Sequence, residues 1–345
     1  NTTQWLRGTG PGGEVVISSR VRLARNLAGL PFLTKCTRDH QLELEHRLAK
    51  EIQDSGVLGE GGMHVDIADA SAMDRELLVE RHLISRHHAD ADHPRGLAVS
   101  ADETVAIMTN EEDHVRMQVL RSGLQLTEAL LHINAIDDRL DERLDFAFHH
   151  RFGYLTACPT NVGTGMRISV MLHLPALALA GELEKVFRAA GDMHLAIRGL
   201  YGEGTVAHGD FFQLSNQTTL GKTETQIVAN FTENILPAFI DYERDAREGL
   251  SQRDRVRLDD RIFRAVGTLQ SARLMSSAEM MHLLSLVRLG VNMGRLDAPT
   301  LDTINDLFLL GQPAHLQRVL QREMDSPQRA TTRATFIRGR LGGSS

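Results

Sequence analysis

Apolar and polar positions alternate in two different rhythms along this chain. From Arg38 to Asp54 the apolar residues Leu42, Leu44, Leu48 and Ile52 recur close to the helical repeat and predict a helix. Residues 74–85, DRELLVERHLIS, predict a second helix, with Asp74 placed to cap it. Other stretches are shorter and read as strands. Val15 to Ile17 predict a strand that feeds the arginine-rich SSRVRLARNL, and LAVSADETVAIMTN (97–110) predicts a hairpin turning at Ala101-Asp102-Glu103. HHRFGYLTACPTNVGTGMR (149–167) predicts a strand, a turn and a glycine-rich loop. ISVMLHLPALAL, continuously apolar, predicts a buried helix. HLAIRGLYGEG (194–204) predicts a strand running into a glycine turn, and HGDFFQLSNQTTLGKTE (208–224) a strand with a polar exit.

Beyond about Ile227 strand signals vanish and helical patterns continue nearly to the end. Ser276-Ser277-Ala278-Glu279 fits a capping box ahead of MMHLLSLV. Strands joined by hairpin-like turns, without regular β-α-β spacing, predict an α+β region with a largely antiparallel sheet flanked by helices, and a helical domain after it. The expected division is a loose Gly- and Thr-rich arm over 1–13, a mixed domain over 14–245, a helical domain over 246–341 and a frayed tail over 342–345. The boundary falls in the charged stretch DYERDAREGLSQRDRVRLDDR.

Composition narrows the class of function. The chain has 345 residues, and its 45 acids against 38 basic residues leave a net charge of -7, which disfavours a general nucleic-acid surface. Two distant cysteines, Cys36 and Cys158, suggest no disulfide framework. The longest apolar run, VMLHLPALALA, is too short to span a bilayer and contains His173 and Pro175, and no charged-then-apolar signal segment opens the sequence. The expectation is a soluble cytoplasmic protein.

Two nucleotide fingerprints nearly match and fail. Gly221-Lys222-Thr223 resembles the tail of a Walker A loop, but Asn216 stands where its first glycine belongs. Gly163 and Gly165 would need a third glycine where Ile168 stands. Arginines are more informative. Arg20 and Arg22, two apart, project to one side of a strand, while Arg116, Arg167 and Arg198 also sit at predicted strand ends or turns. Guanidinium forks give phosphate oxygens bidentate, permanently charged contacts, so such a set could hold a triphosphate whose Mg²⁺ is carried mainly by phosphates and water.

NEEDHVR (110–116) concentrates opposed charge. It can be a helix start capped by Asn110. As a metal site its neighbouring ligands would point apart. It can also be a guanidinium pocket, in which one acid here and another from a separate loop, such as Glu203, fix the plane of the cation and take its proton as it becomes a nucleophile. Cys158 is by default a small buried hydrophobe; beside such acids its thiolate could contact the cation.

SSRVRLARN, NEEDHVR, GYLTACPTNVGTGMR, RGLYGEG and QLSNQTTLGKTE occur in an order and spacing that resemble the phosphagen kinases, over residues 14 to 341. The branch most similar is the bacterial protein-arginine kinases of the McsB type, whose catalytic core runs into a C-terminal helical region. The resemblance implies transfer of the ATP γ-phosphoryl group to arginine side chains of proteins, with Mg²⁺; a kinase for a free guanidino metabolite and a non-catalytic adaptor remain the alternatives. It implies that Glu112 accepts the guanidinium proton, with Glu203 on the cation's other edge and Cys158 lining the pocket. It places ATP against Ser18, Ser19, Arg20, Val21, Arg22, His82 and Arg116, against Arg167, Ile168, Ser169, Val170 and Met171, and against Arg198, Gly199, Leu200, Tyr201 and Gly202. Glu111 and Asp113 become supporting residues. It also implies a homodimer, a Clp-type AAA+ unfoldase that reads the mark, and a heat-shock repressor as client. The branch's phosphoarginine-binding Arg-Asp-x-x-Arg-Ala appears here as RATTRA, with Arg329, Arg333 and Ala334 retained but Ala330 in the acid's place.

Overall fold

The computed structural model describes residues 3–200 and 208–342. Its strands are β1 (Val16–Arg25), β2 (Met63–Asp66), β3 (Gly96–Val99), β4 (Val105–Thr109), β5 (Val115–Ser122), β6 (Phe148–His149), β7 (Gly153–Tyr154), β8 (Met166–His173), β9 (Leu195–Gly199) and β10 (Phe211–Asn216). Eight of them form one sheet in the order β2-β3-β4-β5-β1-β8-β10-β9, and β6 and β7 make a separate hairpin. Every pairing in the sheet is antiparallel. The α+β expectation with an antiparallel sheet holds.

The helices are α1 (Arg38–Ser55), α2 (Ala72–Glu80), α3 (Arg86–Asp90), α4 (Leu126–Asp141), α5 (Pro175–Ala180), α6 (Leu183–Asp192), α7 (Glu224–Asn230), α8 (Leu236–Arg253), α9 (Arg255–Ser271), α10 (Ser277–Asn292), α11 (Leu301–Leu310), α12 (Pro313–Val319) and α13 (Ser326–Arg340). From α9 onward the chain is helical, as its pattern predicts. Ser276 caps α10 by accepting from the Glu279 backbone N–H.

Register decides what each side of the sheet does. Val21 lies opposite Val119 and Ile168, and Leu23 opposite Met117 and Met166. With Val170, Leu172 and Leu214 these side chains join the largest core, under α1, α4, α7 and α8. The alternate positions face the other way. Arg22 lies opposite Gln118 and Arg167, Arg20 opposite Leu120 and Ser169, and Ala24 opposite Arg116. That second side is apolar only at its flanks. Leu97, Val99, Ala106 and Met108 pack beneath α2 and α3, and Met171, Leu200 and Phe211 pack into the core of the C-terminal helices. A polar, cationic strip is thereby walled on two sides.

Four expectations need correction. ISVMLHL is not a helix but β8, inside the sheet between β1 and β10. Arg167, Ser169, Met171 and His173 take one face while Ile168, Val170 and Leu172 take the other, so the period-2 signal was there, masked because both faces are covered. The helix expected over 74–85 is α2, which ends at Glu80; its cap is Ser71, which accepts from the Asp74 backbone N–H and donates to the Asp74 carboxylate. NEEDHVR begins no helix. Residues 110–114 form the tight link from β4 to β5, with Asn110 at φ 55°. Nor is the segment before β1 loose: Thr3, Trp5 and Leu6 are buried, and the Trp5 indole Nε1 donates to the Arg81 carbonyl at 3.1 Å. Gly10 passes so near Ser122 that a Cβ would lie 1.8 Å from its carbonyl oxygen, which only glycine tolerates.

The charged stretch expected to hold a boundary runs from α8, which is continuous to Arg253, into α9; the chain turns at Asp254, whose side chain caps α9.

Candidate active site

Four guanidinium groups gather on the polar side of the sheet. Arg20 and Arg22 come from β1, Arg116 from β5 and Arg167 from β8. Arg20 donates to the Ser169 hydroxyl at 3.1 Å, and Arg167 to the Ser215 hydroxyl at 3.2 Å. Burial, then the charges of Arg116 and Arg167, push Arg20 down to about 9. Arg22 is driven well below its ordinary value by burial and by Arg20, Arg116 and Arg167, and Glu111 is the carboxylate that opposes this. Among the described residues the Arg22 Nε is buried with no hydrogen-bond partner. A guanidinium keeps its proton in a protein, so such crowding is relieved by bringing in an anion, and several phosphate oxygens fit the forks. Arg198, on β9 opposite Gln213 of β10, extends the same side.

The three acids of the β4–β5 link have separate fates. Glu111 is buried; its Oε1 lies 2.7 Å from Arg116 Nη1 and accepts from the Ser85 hydroxyl at 2.7 Å. Burial would raise its pKa, but Arg116 and Ser85 override that and hold it at about 2. Its other oxygen accepts from the Glu112 backbone N–H at 2.9 Å, which fixes the turn. Asp113 is buried too, and its Oδ1 accepts from Asn26 Nδ2 and the Ala157 backbone N–H, both at 2.6 Å. Glu112 alone of the three is exposed. Partial burial, Asp113 and Glu111 raise its pKa. An exposed carboxylate with raised proton affinity, on a turn braced by two buried neighbours, suits a general base.

Asp113 links that turn to the cysteine loop. Asn26 completes the junction by accepting from the His114 backbone N–H at 3.0 Å and donating to the Leu155 carbonyl at 3.0 Å. Cys158 is half-buried, its Sγ 3.0 Å from the Thr160 hydroxyl, so it is not a core hydrophobe. Beneath the loop, fully buried Arg25 makes a two-pronged contact with Asp137 at 3.0 and 2.6 Å, donates to the Thr164 carbonyl and stacks its guanidinium 3.4 Å from the Tyr154 ring centre.

A small crevice is lined by Trp5, Ser18, Arg20, His82, Ser169 and Met171 among others. His82 stands at φ 60°, just past the end of α2, with Leu83 N–H bonded to the Leu78 carbonyl in a left-handed helix stop. Its ring meets Trp5 edge-on at 4.7 Å, and burial followed by the Arg20 charge pushes it down to about 3, a neutral imidazole. Not every residue of the expected nucleotide set faces this crevice. Val21, Ile168 and Val170 point into the opposite core, and the Ser19 hydroxyl bonds the Gly123 carbonyl at 2.7 Å and the Gln125 N–H at 3.0 Å. Those four side chains face away from the crevice. Gly199 and Leu200 are buried at the end of β9. Tyr201, Gly202 and Glu203 lie outside the described residues. Among the described residues no cluster of three or more His, Cys, Asp or Glu side chains is assembled for a metal ion.

Residues 43–246 match the family profile described as ATP:guanido phosphotransferase, C-terminal catalytic domain, and residues 255–345 match protein-arginine kinase McsB C-terminal domain. The chain is 46% identical over 342 residues to a protein-arginine kinase of Symbiobacterium thermophilum, covering 98% of this chain and 96% of that one. The chain belongs to the protein-arginine kinase family. A Bacillus subtilis protein-arginine kinase is 38% identical over 340 residues, covering 98% and 93%. Among solved structures, lombricine kinase superposes with a TM-score of 0.59 at 27% identity over 70% of each chain. A duplicated taurocyamine kinase from Schistosoma mansoni superposes with a TM-score of 0.62 at 28% identity, covering 69% of this chain and 34% of that one. A protein-arginine kinase of this fold uses ATP, and no helix among its described residues is long and apolar enough to cross a membrane.

The RATTRA segment of this protein-arginine kinase lies on α13 and is only partly solvated, with Thr331 exposed and Arg333 and Ala334 buried. Arg333 is buried, donating from Nε to the Gly311 carbonyl at 2.6 Å and from Nη1 to the Met275 carbonyl at 3.0 Å. Arg329 donates to the Met324 carbonyl at 2.7 Å, and Ala334 is enclosed in the helical core, offering no surface to a ligand. Sequence reasoning missed Trp5, Asn26, Ser85 and Asp137, and placed no weight on Arg25. Trp5 is the chain's one tryptophan, in a stretch read as loose; the other signals are single polar residues whose partners are remote in sequence.

Proposed function

We propose that this chain transfers the γ-phosphoryl group of ATP to the guanidinium of an arginine side chain in a protein. The observation that carries the reading is the crowd of Arg20, Arg22, Arg116 and Arg167 on one sheet face, with exposed Glu112 on the adjoining turn. The arginines form a preorganised cradle for the triphosphate and for the charge that spreads over the transferring group. A terminal nitrogen of the substrate guanidinium attacks the γ-phosphorus in line. The N–P bond forms as the P–O bond to the β-phosphate breaks and ADP leaves, and the proton lost from nitrogen passes to the Glu112 carboxylate. Glu203 is assigned to the other edge of the cation and Cys158 to the pocket wall. Mg²⁺, brought in on the phosphates and held mainly by ATP and water, would supply charge neutralisation.

The similarity of the whole chain to protein-arginine kinases supports a protein as acceptor. By the same resemblance we infer a cytoplasmic homodimer whose mark is read by a Clp-type unfoldase, with a heat-shock repressor among its clients. The test is Glu112→Gln assayed with Mg-ATP and a protein substrate by acid-sparing mass spectrometry. Transfer is expected to fall about 10³-fold while ATP binding persists. Unchanged turnover removes Glu112 from the chemistry, and transfer to free arginine alone would replace the protein acceptor by a metabolite.

A further inference from the structure

The turn that carries His82 is held from the far end of the chain. Glu80, two residues earlier and only 3% exposed, spends both carboxylate oxygens on α12. Its Oε1 accepts from the Ala314 backbone N–H at 2.8 Å, and its Oε2 accepts from the His315 N–H at 3.0 Å and from His315 Nδ1 at 2.6 Å. These are first-turn groups of α12, which have no partner inside that helix, so the carboxylate acts as a cap supplied by another part of the protein. The ring of His315 continues the link. An arginine can only donate, so Arg81 Nη1, 3.2 Å from His315 Nε2, makes that nitrogen the acceptor and leaves Nδ1 as the donor to Glu80. Arg81 in turn grips Glu103 of the β3–β4 hairpin, with Nε 2.9 Å from Oε1 and Nη2 2.8 Å from Oε2.

Between these anchors the His82 backbone has little freedom. The Arg81 carbonyl accepts from Trp5, and the His82 carbonyl accepts at 2.8 Å from Gln118 on the cationic side of β5. The His82 ring therefore stands where α12, the β3–β4 hairpin and the amino-terminal turn agree to place it. Arg333, which holds the Gly311 carbonyl just before α12, extends the chain of contacts into α13.

We propose that Glu80, seconded by His315, is a positioning residue for nucleotide binding: by capping α12 it fixes the His82–Trp5 wall of the crevice and makes ATP affinity depend on the seating of the C-terminal helices. The proposal rests on the nucleotide reading of that crevice. A buried carboxylate bound to a helix start is strongly directional, and removing it leaves two backbone N–H groups unpaired.

The test uses the full chain with a protein substrate and separates KM for ATP, KM for the protein and kcat. Glu80→Gln keeps the shape but turns an amide toward backbone donors; KM for ATP is expected to rise about tenfold, with kcat and the protein KM within about twofold. His315→Phe, which leaves the two backbone bonds, is expected to raise KM for ATP about threefold and carries the test if Glu80→Gln fails to fold. Ser285→Ala is the control. It cuts a comparable buried tie, in which the Ser285 hydroxyl lies 2.9 Å from His173 Nε2 and donates to Asp210 at 2.7 Å, but one that involves neither Glu80 nor His315; it is expected to leave KM for ATP unchanged. Unaltered KM for ATP in both α12-link variants, or an equal rise in Ser285→Ala, overturns the proposal. His82→Ala distinguishes the two failures: a raised KM for ATP there, with none in Glu80→Gln, sinks only the positioning role, whereas no change in His82→Ala removes the nucleotide reading with it.

Discussion

The two sides of the central sheet are built from the same strands, residue by residue in alternation, yet follow opposite rules. On one side Val21, Leu23, Ile168 and Val170 are fully buried among aliphatic neighbours, and each adds apolar area removed from water. On the other, one residue along, Arg20, Arg22 and Arg167 are crowded so that burial and mutual repulsion oppose their charge. The first side stabilises the fold, and the second is stability withheld. A protein that keeps like charges together in a partly buried strip, with walls of apolar residues at both flanks, has a use for an anion there. The difference is sharp enough to be broken by substitution.

Replacing Arg22 by Met should have the largest effect, because it removes a transition-state contact without leaving a hole. Phosphoryl transfer should drop about 10²- to 10³-fold, while thermal stability holds or improves, since a like-charge contact has gone. A variant that melts lower and still turns over would place Arg22 on the structural side. Ile168→Ala, one residue from Arg167 and on the opposite side, is the mirror experiment. It should cost about 2–4 kcal/mol of stability through the cavity it leaves, read by denaturant unfolding, with activity within about threefold at a temperature where the variant is folded. A nucleotide-affinity loss in Ile168→Ala larger than in Arg22→Met would undo the assignment of faces.

Much of this was legible in the sequence. Arg20 and Arg22 at a spacing of two announce a shared side as soon as SSRVR is read as a strand. The hairpin at 97–110 and the helix from Arg38 follow from simple periodicity. β8 escaped because a strand covered on both faces offers a run of apolar residues that periodicity cannot tell from a buried helix. The division of labour among Glu111, Glu112 and Asp113 was legible only through the family resemblance, not from the residues themselves. It is made by Ser85, Arg116, Asn26 and Ala157, contributed by other segments, and a one-dimensional reading shows three equivalent acids. Likewise the segment before β1 has the composition of a loose arm, and only the surface it meets makes Trp5 a wall of the crevice.

That division of acids predicts a pH profile. Glu112 has its pKa raised above 4.5, so on the acid limb kcat/KM for the protein substrate should fall as pH drops through that raised value, because a protonated carboxyl cannot accept the guanidinium proton. Glu111, held at about 2, stays ionised throughout that range. Its lowered pKa contributes stability that is fully present above 4.5 and is lost as pH falls through about 2. Activity should therefore fail at a higher pH than the fold does. Coincident loss of activity and of near-UV circular dichroism in an acid titration would mean that unfolding, not Glu112, sets the limb.

The smallest effect expected is at His82, where the functional and the structural demands meet in one residue. A left-handed backbone at the end of a helix favours glycine, and a histidine there carries a cost of about 1 kcal/mol. His82 keeps φ 60° all the same, with Trp5 against its ring and Gln118 on its carbonyl. His82→Gly relieves the backbone and discards the ring. It should leave stability unchanged or raise it by up to about 1 kcal/mol, while KM for ATP rises a few-fold and kcat barely moves. The melting temperature and KM for ATP, measured on the same preparation, thus move in opposite senses if strain is kept for the sake of the ligand. A glycine variant that is less stable and binds ATP as before would show that the imidazole serves the packing around Trp5 alone.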